Sequence, residues 1–173
     1  MYEQEKHPVW NVYDRLRTIS LNEKYYSRRI VFFERVNFWL EILIAITASS
    51  AIAKFAIWKT EAGSFVWSVI AGIAVILAVI KPFMKLTDRI KRIENVLTKY
   101  RLIKHEFGIL RIDINEKKCY NDEHKKILRD LLLKEKELIE KQPENYISNR
   151  LRNICTEEVI KEYPVENFFI PEE

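Results

Sequence analysis

Only three glycines occur in the 173 residues, Gly63, Gly72 and Gly108, so no glycine-rich loop can cradle a phosphate. Two cysteines, Cys119 and Cys155, make no disulfide framework and point to a reducing compartment. The three histidines, His7, His105 and His124, are dispersed. Cys119 and His124 do lie close together, with Asp122 and Glu123 between them. A structural zinc site takes four ligands, and no second pair stands at a suitable spacing. There is no zincin helix motif, no nucleophile elbow and no paired catalytic carboxylate. The chain is therefore expected to be no enzyme and to need no cofactor or metal.

What the chain has is concentrated apolar sequence. Residues 62–80 (AGSFVWSVIAGIAVILAVI) carry no charge. As a helix at about 1.5 Å per residue they reach about 28 Å, close to a bilayer core of about 30 Å. A second apolar stretch covers 36–58. Between Val36 and Ile80 only Glu41, Lys54, Lys59 and Glu61 are charged, and they sum to zero. Net charge runs +2 over residues 1–35, 0 over 36–80, +6 over 81–118 and −4 over 119–173.

These patterns predict an all-α membrane protein: a two-span transmembrane hairpin flanked by long cytosolic helices, assembled as an oligomeric bundle. The expected divisions are an N-terminal cytosolic or interfacial helix (1–35), the hairpin (36–80, with spans about 36–58 and 62–80), a cytosolic helical region (81–142) and an acidic tail (143–173). No secretory leader is expected, because the first apolar stretch begins at Val36. Basic residues crowd the outer ends of both spans, Lys24, Arg28, Arg29 and Arg35 before the first, and Lys81, Lys85, Arg89, Lys91 and Arg92 after the second. By the positive-inside rule both termini face the cytosol and the short 59–61 loop lies outside.

The span faces suggest roles. Ala45, Ser49 and Ala53 repeat every four residues in the first span, as do Ser64, Ser68 and Gly72 in the second. Small residues at that spacing let helices approach closely in lipid, within a hairpin or between copies. Thr47, Ser50 and Lys54 cluster within about 60° of arc on another side of the first span, as candidate pore-lining groups. Two simpler readings stand beside this one. The hydroxyls can bond to their own helix backbone, and Glu41 and Lys54 can snorkel to the membrane faces. The basic cluster after Ile80 reads as attraction to anionic lipid rather than as a nucleic-acid site, so no direct nucleic-acid binding is expected.

Outside the spans the reading is helical. Residues 9–35 contain neither Gly nor Pro and predict an amphipathic helix that runs along the membrane face or continues into the first span. Trp39 suits an interfacial position. Pro82 should end or kink the second span. Leu86, Ile90, Ile93, Leu97, Tyr100 and Phe107 then form a heptad-like seam, with Lys104 its one polar member. This seam is free to pack on the N-terminal helix or on another copy. Asn115 and Asn121 bracket a break. The next helix, 122–141, should bury Ile127, Leu128, Leu131, Leu132, Leu138 and Ile139, and Pro143 should stop it. A short helix is expected over 148–162, and the terminal YPVENFFIPEE reads as extended or mobile.

The order of elements resembles the SLATT domain family of bacterial two-span effectors. It runs from a basic, aromatic-rich helix (YDRLRTISLNEKYYSRRIVFFERV) through a tight two-span hairpin to a long charged helix beginning KPFMKLTDRIKRIENVLTKYRLIKHEF. The resemblance covers roughly residues 9–140 and rests on architecture and a loose residue pattern. It implies a multi-pass protein of the bacterial inner membrane that forms a pore in an antiphage defence system, causing abortive infection by disrupting membrane integrity or potential. It further implies homo-oligomers and a defence partner such as a sensor, a nucleotide-signal synthase or a reverse transcriptase. The family offers no catalytic residues to carry over. The alternative is a membrane-anchored helical scaffold that recruits a cytosolic partner.

Overall fold

The computed structural model describes residues 7–53, 61–140 and 148–171. It is all-helical, with no strand among the described residues. The helices are α1 (Trp10–Ala53), α2 (Glu61–Met84), α3 (Leu86–Lys117), α4 (Asp122–Glu140) and α5 (Asn149–Glu162), followed by a 3₁₀ turn at Val165–Asn167. They fall into two units. Unit 1 comprises Met1–Arg28 with Arg92–Glu173, and unit 2 comprises Arg29–Lys91. The N-terminal helix, the cytosolic helices and the tail, expected as separate regions, thus contribute to one unit. No break marks residue 35, because α1 continues through it.

Unit 1 is built on the seam of α3. Ile93, Val96, Leu97, Tyr100, Ile103, Phe107, Leu110 and Ile114 are all buried. Apart from the adjacent Val96 and Leu97, they are spaced by three or four residues, which keeps one face of the helix turned inward. That face packs within the chain: Tyr26 of α1 stacks on Tyr100 of α3, centroids 5.6 Å apart. Val12, Tyr13, Leu16 and Ile19 supply the α1 side of the core. Lys104, the polar member of the seam, donates to Glu23 of α1 at 3.1 Å. Its pKa lies above the usual lysine value. Burial works against the charge, but the Glu23 hydrogen bond and the neighbouring Tyr163, Glu23 and Glu162 outweigh it.

The break after α3 has a local cause. Lys118 adopts a left-handed φ of 53°, and Asn121 then caps α4. Asn121 Oδ1 accepts from the His124 backbone N–H at 3.1 Å, while His124 Nδ1 accepts from the Asn121 N–H at 3.2 Å. The other ring nitrogen, Nε2, lies 2.9 Å from Asp113. Asp113 is held below the usual aspartate range by hydrogen bonds from Lys117 and His124.

The buried face of α4 differs from expectation. His124, Leu128, Leu131, Glu135 and Leu138 are buried, whereas Ile127 and Ile139 are exposed. Leu128, Leu131 and Leu138 are inward as expected, and the stripe keeps the three-four rhythm, but it is narrower, with Ile127 and Ile139 about 60° to either side of its centre and Leu132 half-buried. Two polar groups take inward positions because each finds a partner, His124 with Asp113 and Glu135 with Arg15 at 3.5 Å.

The C-terminal segment is also corrected. It is extended beyond the 3₁₀ turn, as expected, but it is docked rather than mobile. Phe168 is buried against Tyr13, and the Tyr13 hydroxyl donates to the Phe169 carbonyl at 2.6 Å. Arg17 binds the Tyr163 carbonyl through Nε at 2.9 Å and also through its terminal nitrogen. Lys24 pairs with Glu162 at 2.8 Å and Arg28 pairs with Glu158, so one face of α1 holds α5 along three turns. The Glu162 hydrogen bond raises the Lys24 pKa.

In unit 2, α2 carries Pro82 inside it and ends two residues later than the proline predicts, at Met84. Lys85, with φ 45°, makes the turn into α3. Among the described residues no helix is long and apolar enough to cross a membrane. The side chains at 47–53, 61–64, 66–68, 70, 71 and 74 lie outside that description, as do residues 54–60 altogether.

Candidate membrane-facing site

Unit 2 buries few of its apolar side chains. Phe33 and Leu86 are the buried hydrophobic residues among those described. Along α2, by contrast, Phe65, Val69, Ile73, Val75, Ile76, Val79, Ile80 and Phe83 are all exposed, Phe65 at 72% and Phe83 at 79%. Placed at 100° per residue, these eight span an arc of about 160°. Ala78 and Pro82 are also exposed and fall outside that arc. A helix on the surface of a water-soluble domain shows charge on its outer face. Here residues 62–80 have none. Apolar patches of this extent mark contact with lipid or with another protein.

Polar groups gather toward the end of α2. Lys81 Nζ pairs with Glu41 Oε1 at 3.2 Å, and Asn37 Nδ2 donates to the same oxygen at 3.0 Å. Glu41, which sequence alone assigns to snorkelling, thus has a cation beside it. The sequence signal was there to find: the two charges terminate the uncharged runs at the same end of the expected hairpin. Near the pair, a cavity of about 420 Å³ is lined by Asn37, Lys81, Pro82, Lys85, Thr87 and Asp88. On α1, the Arg29 guanidinium lies 4.6 Å from the Phe33 ring centroid and 5.8 Å from that of Phe32. Phe32, Phe38 and Trp39 are exposed beyond it, Trp39 at 65%. Aromatic rings beside cations, next to an uncharged run, match the composition of a membrane interface.

The expected site residues divide three ways. Arg35, Lys85, Arg89 and Lys91 are exposed basic residues of unit 2. Arg28 and Arg92 belong to unit 1, where Arg28 is engaged with Glu158. Ala45 is exposed on α1 and Gly72 on α2. A Cβ placed on Gly72 would meet nothing within 4 Å among the described residues, so none of them calls for a glycine there. Thr47, Ser49, Ser50 and Ala53 lie on α1, and Ser64 and Ser68 on α2, with side chains outside the description. Lys54 lies outside the described residues.

Among the described residues, no three His, Cys, Asp or Glu side chains are grouped to hold a metal ion. Cys119 is free and partly exposed, while His124 is committed to Asn121 and Asp113. No family model, no curated protein and no solved structure matches this chain.

Proposed function

We propose that unit 2 inserts into a lipid bilayer and that copies of the chain assemble there into a pore. The observation that carries this reading is the exposed, uncharged surface of α2 together with the Glu41–Lys81 pair near its end. Keeping such a surface in water is costly, at about 25 cal/mol per Å² of apolar area. Lipid removes that cost without requiring a protein partner. The resemblance to two-span bacterial effectors supplies the biological setting: an antiphage effector of the inner membrane whose pore opens only when triggered. The helices of unit 1 are then the part on which a trigger acts.

Two measurements test this. Expressed in bacteria, the chain is expected to stay in the membrane pellet through alkaline carbonate extraction. When it is triggered, or strongly overexpressed, a potential-sensitive dye should report depolarisation. Release by carbonate overturns insertion. A steady potential in cells where insertion is proven overturns the pore.

A second reading keeps the membrane anchor but makes unit 1 a recruiting scaffold. It is favoured by Leu102 and Ile109, which stand exposed on α3 seven residues apart, a spacing that puts them on one face. It predicts a co-purifying partner that Leu102→Glu releases.

A further inference from the structure

A cavity of about 600 Å³ opens in unit 1 among α1, α3 and the end of α5. Its long wall is one stripe of α3, where Arg101, Lys104, His105, Gly108 and Arg111 follow one another at helical spacing. Glu23 of α1 faces that stripe and Tyr163 closes one end. None of these residues belongs to the membrane-facing surface. Three observations together give the cavity a use.

The first is charge. Three cations line the cavity against one carboxylate; a second, Glu162, lies outside the lining, 3.6 Å from Lys104, and is paired more closely with Lys24 at 2.8 Å. The lining carboxylate, Glu23, is already served twice, by Lys104 at 3.1 Å and by Arg101 at 3.5 Å. Positive charge in excess within a partly enclosed cleft concentrates the field there and draws in anions.

The second is orientation. The Arg111 guanidinium lies 5.5 Å from the Phe168 ring centroid and 5.9 Å from that of Tyr163, and it donates to the Asn167 carbonyl at 3.4 Å. The docked tail thus holds this guanidinium at the cavity wall. A guanidinium held in place is suited to two-pronged contact with phosphate oxygens.

The third is Gly108. It sits in the interior of α3, where glycine is destabilising relative to alanine. A Cβ there would meet nothing within 4 Å, so helix packing does not call for it. What the missing side chain leaves is open floor, with Lys104 one turn to one side and Arg111 one turn to the other. The cavity volume falls in the range of small-molecule sites.

We infer that this cavity binds a phosphate-bearing small molecule, with its anionic groups on Arg101, Lys104 and Arg111 and its body over Gly108. The same chemistry is offered by a soluble oligophosphate and by a phospholipid headgroup. The assignment does not depend on the pore reading, since unit 1 carries it alone.

The test uses the full chain in nanodiscs of zwitterionic lipid, titrated calorimetrically with inorganic tripolyphosphate at low salt. Saturable binding is expected. Gly108→Met, which places a side chain across the floor, should weaken it at least tenfold. Gly108→Ala, which favours the helix and intrudes little, should weaken it about twofold. Arg101→Gln, at an exposed position outside the core, should weaken it at least fivefold and serves if the methionine variant fails to fold. Absence of binding, or binding equal in Gly108→Met and Arg101→Gln to that of the unaltered chain, overturns the assignment. Nanodiscs containing phosphatidylglycerol separate the two sources. Suppressed tripolyphosphate binding in those discs assigns the cavity to the lipid headgroup, and unchanged binding assigns it to a soluble ligand.

Discussion

Tyr13 and Phe168 stack nearly face to face, with centroids 4.2 Å apart and planes inclined by 7°. Residues close to the two ends of the chain therefore share one packing contact. Trp10 adds an edge-on contact to Phe168 at 6.0 Å, and the Arg17 guanidinium sits 4.8 Å from the centroid of the same ring. The C-terminal segment is in this way a component of the unit 1 core, and its removal would uncover α1.

Phe168→Ala is expected to destabilise unit 1 by about 3 kcal/mol, the lower range for truncating a buried phenylalanine. Tyr13→Phe removes only the hydroxyl bonded to the Phe169 carbonyl. It should cost about 1 kcal/mol. Thermal unfolding separates the two. Limited proteolysis should cut the tail quickly in Phe168→Ala and slowly in Tyr13→Phe. Equal, slow cutting in both would show that the Phe168 ring does not hold the segment.

Glu135 gives a pH-dependent prediction. Burial pushes its pKa above the usual glutamate value, and Arg15 only partly opposes this. A carboxyl raised in the fold holds its proton after the unfolded chain has lost it. Between the ordinary glutamate value and the raised one, the unfolded state therefore binds fewer protons, and stability falls as pH rises. Glu135→Leu continues the apolar stripe of α4 and leaves Arg15, about half exposed, to water. It should stabilise the protein by about 1 kcal/mol at neutral pH. The gain should shrink as pH is lowered through the carboxylate range. Asp113 and Glu162, whose pKa values are lowered in the fold, favour the opposite trend in both proteins and cancel from the difference. A gain independent of pH would mean that Glu135 titrates alike in the folded and unfolded chains, so that burial does not raise its pKa.

Asn121 caps α4 through its side-chain oxygen. Asn121→Ala should cost about 1 kcal/mol, and Asn121→Asp, which retains the acceptor, should cost less. Denaturant unfolding of the pair checks this. Similar losses in both would place the effect in the backbone turn at Lys118 rather than in the cap.

The seam of α3 was legible in the sequence because its members Ile93, Leu97, Tyr100 and Phe107 are apolar and only Lys104 among them is not, so the rhythm is visible. The α4 stripe was legible at Leu128, Leu131 and Leu138 but not at its other inward positions, because His124 and Glu135 are polar while the apolar Ile127 and Ile139 stay at its exposed edges. Nothing local announces that a buried histidine will find Asp113 eleven residues earlier. The docking of the tail was not legible for a related reason. Its prolines and acidic residues describe an extended chain correctly, but the burial of Phe168 is decided by Tyr13, far away in sequence. The Glu41–Lys81 pair lay between these cases, since a hairpin brings the ends of its two arms together.

Gly72 separates packing inside one chain from packing between chains. The position is exposed, and a Cβ there meets no atom of the described residues within 4 Å. Gly72→Leu should therefore leave the fold of a single copy intact. It should even favour α2, since glycine costs a helix interior about 1 kcal/mol relative to alanine. If copies meet along Ser64, Ser68 and Gly72, the added isobutyl group forces the helices apart where small residues let them approach. The expected result is unchanged helicity with a smaller oligomer in detergent, seen by light scattering during gel filtration, and a weaker depolarisation in cells. The Lys54→Leu variant provides the contrast: assembly should persist while conductance changes. An intact oligomer in Gly72→Leu would remove this stripe from the interface between copies and leave the helices of unit 1 to make it.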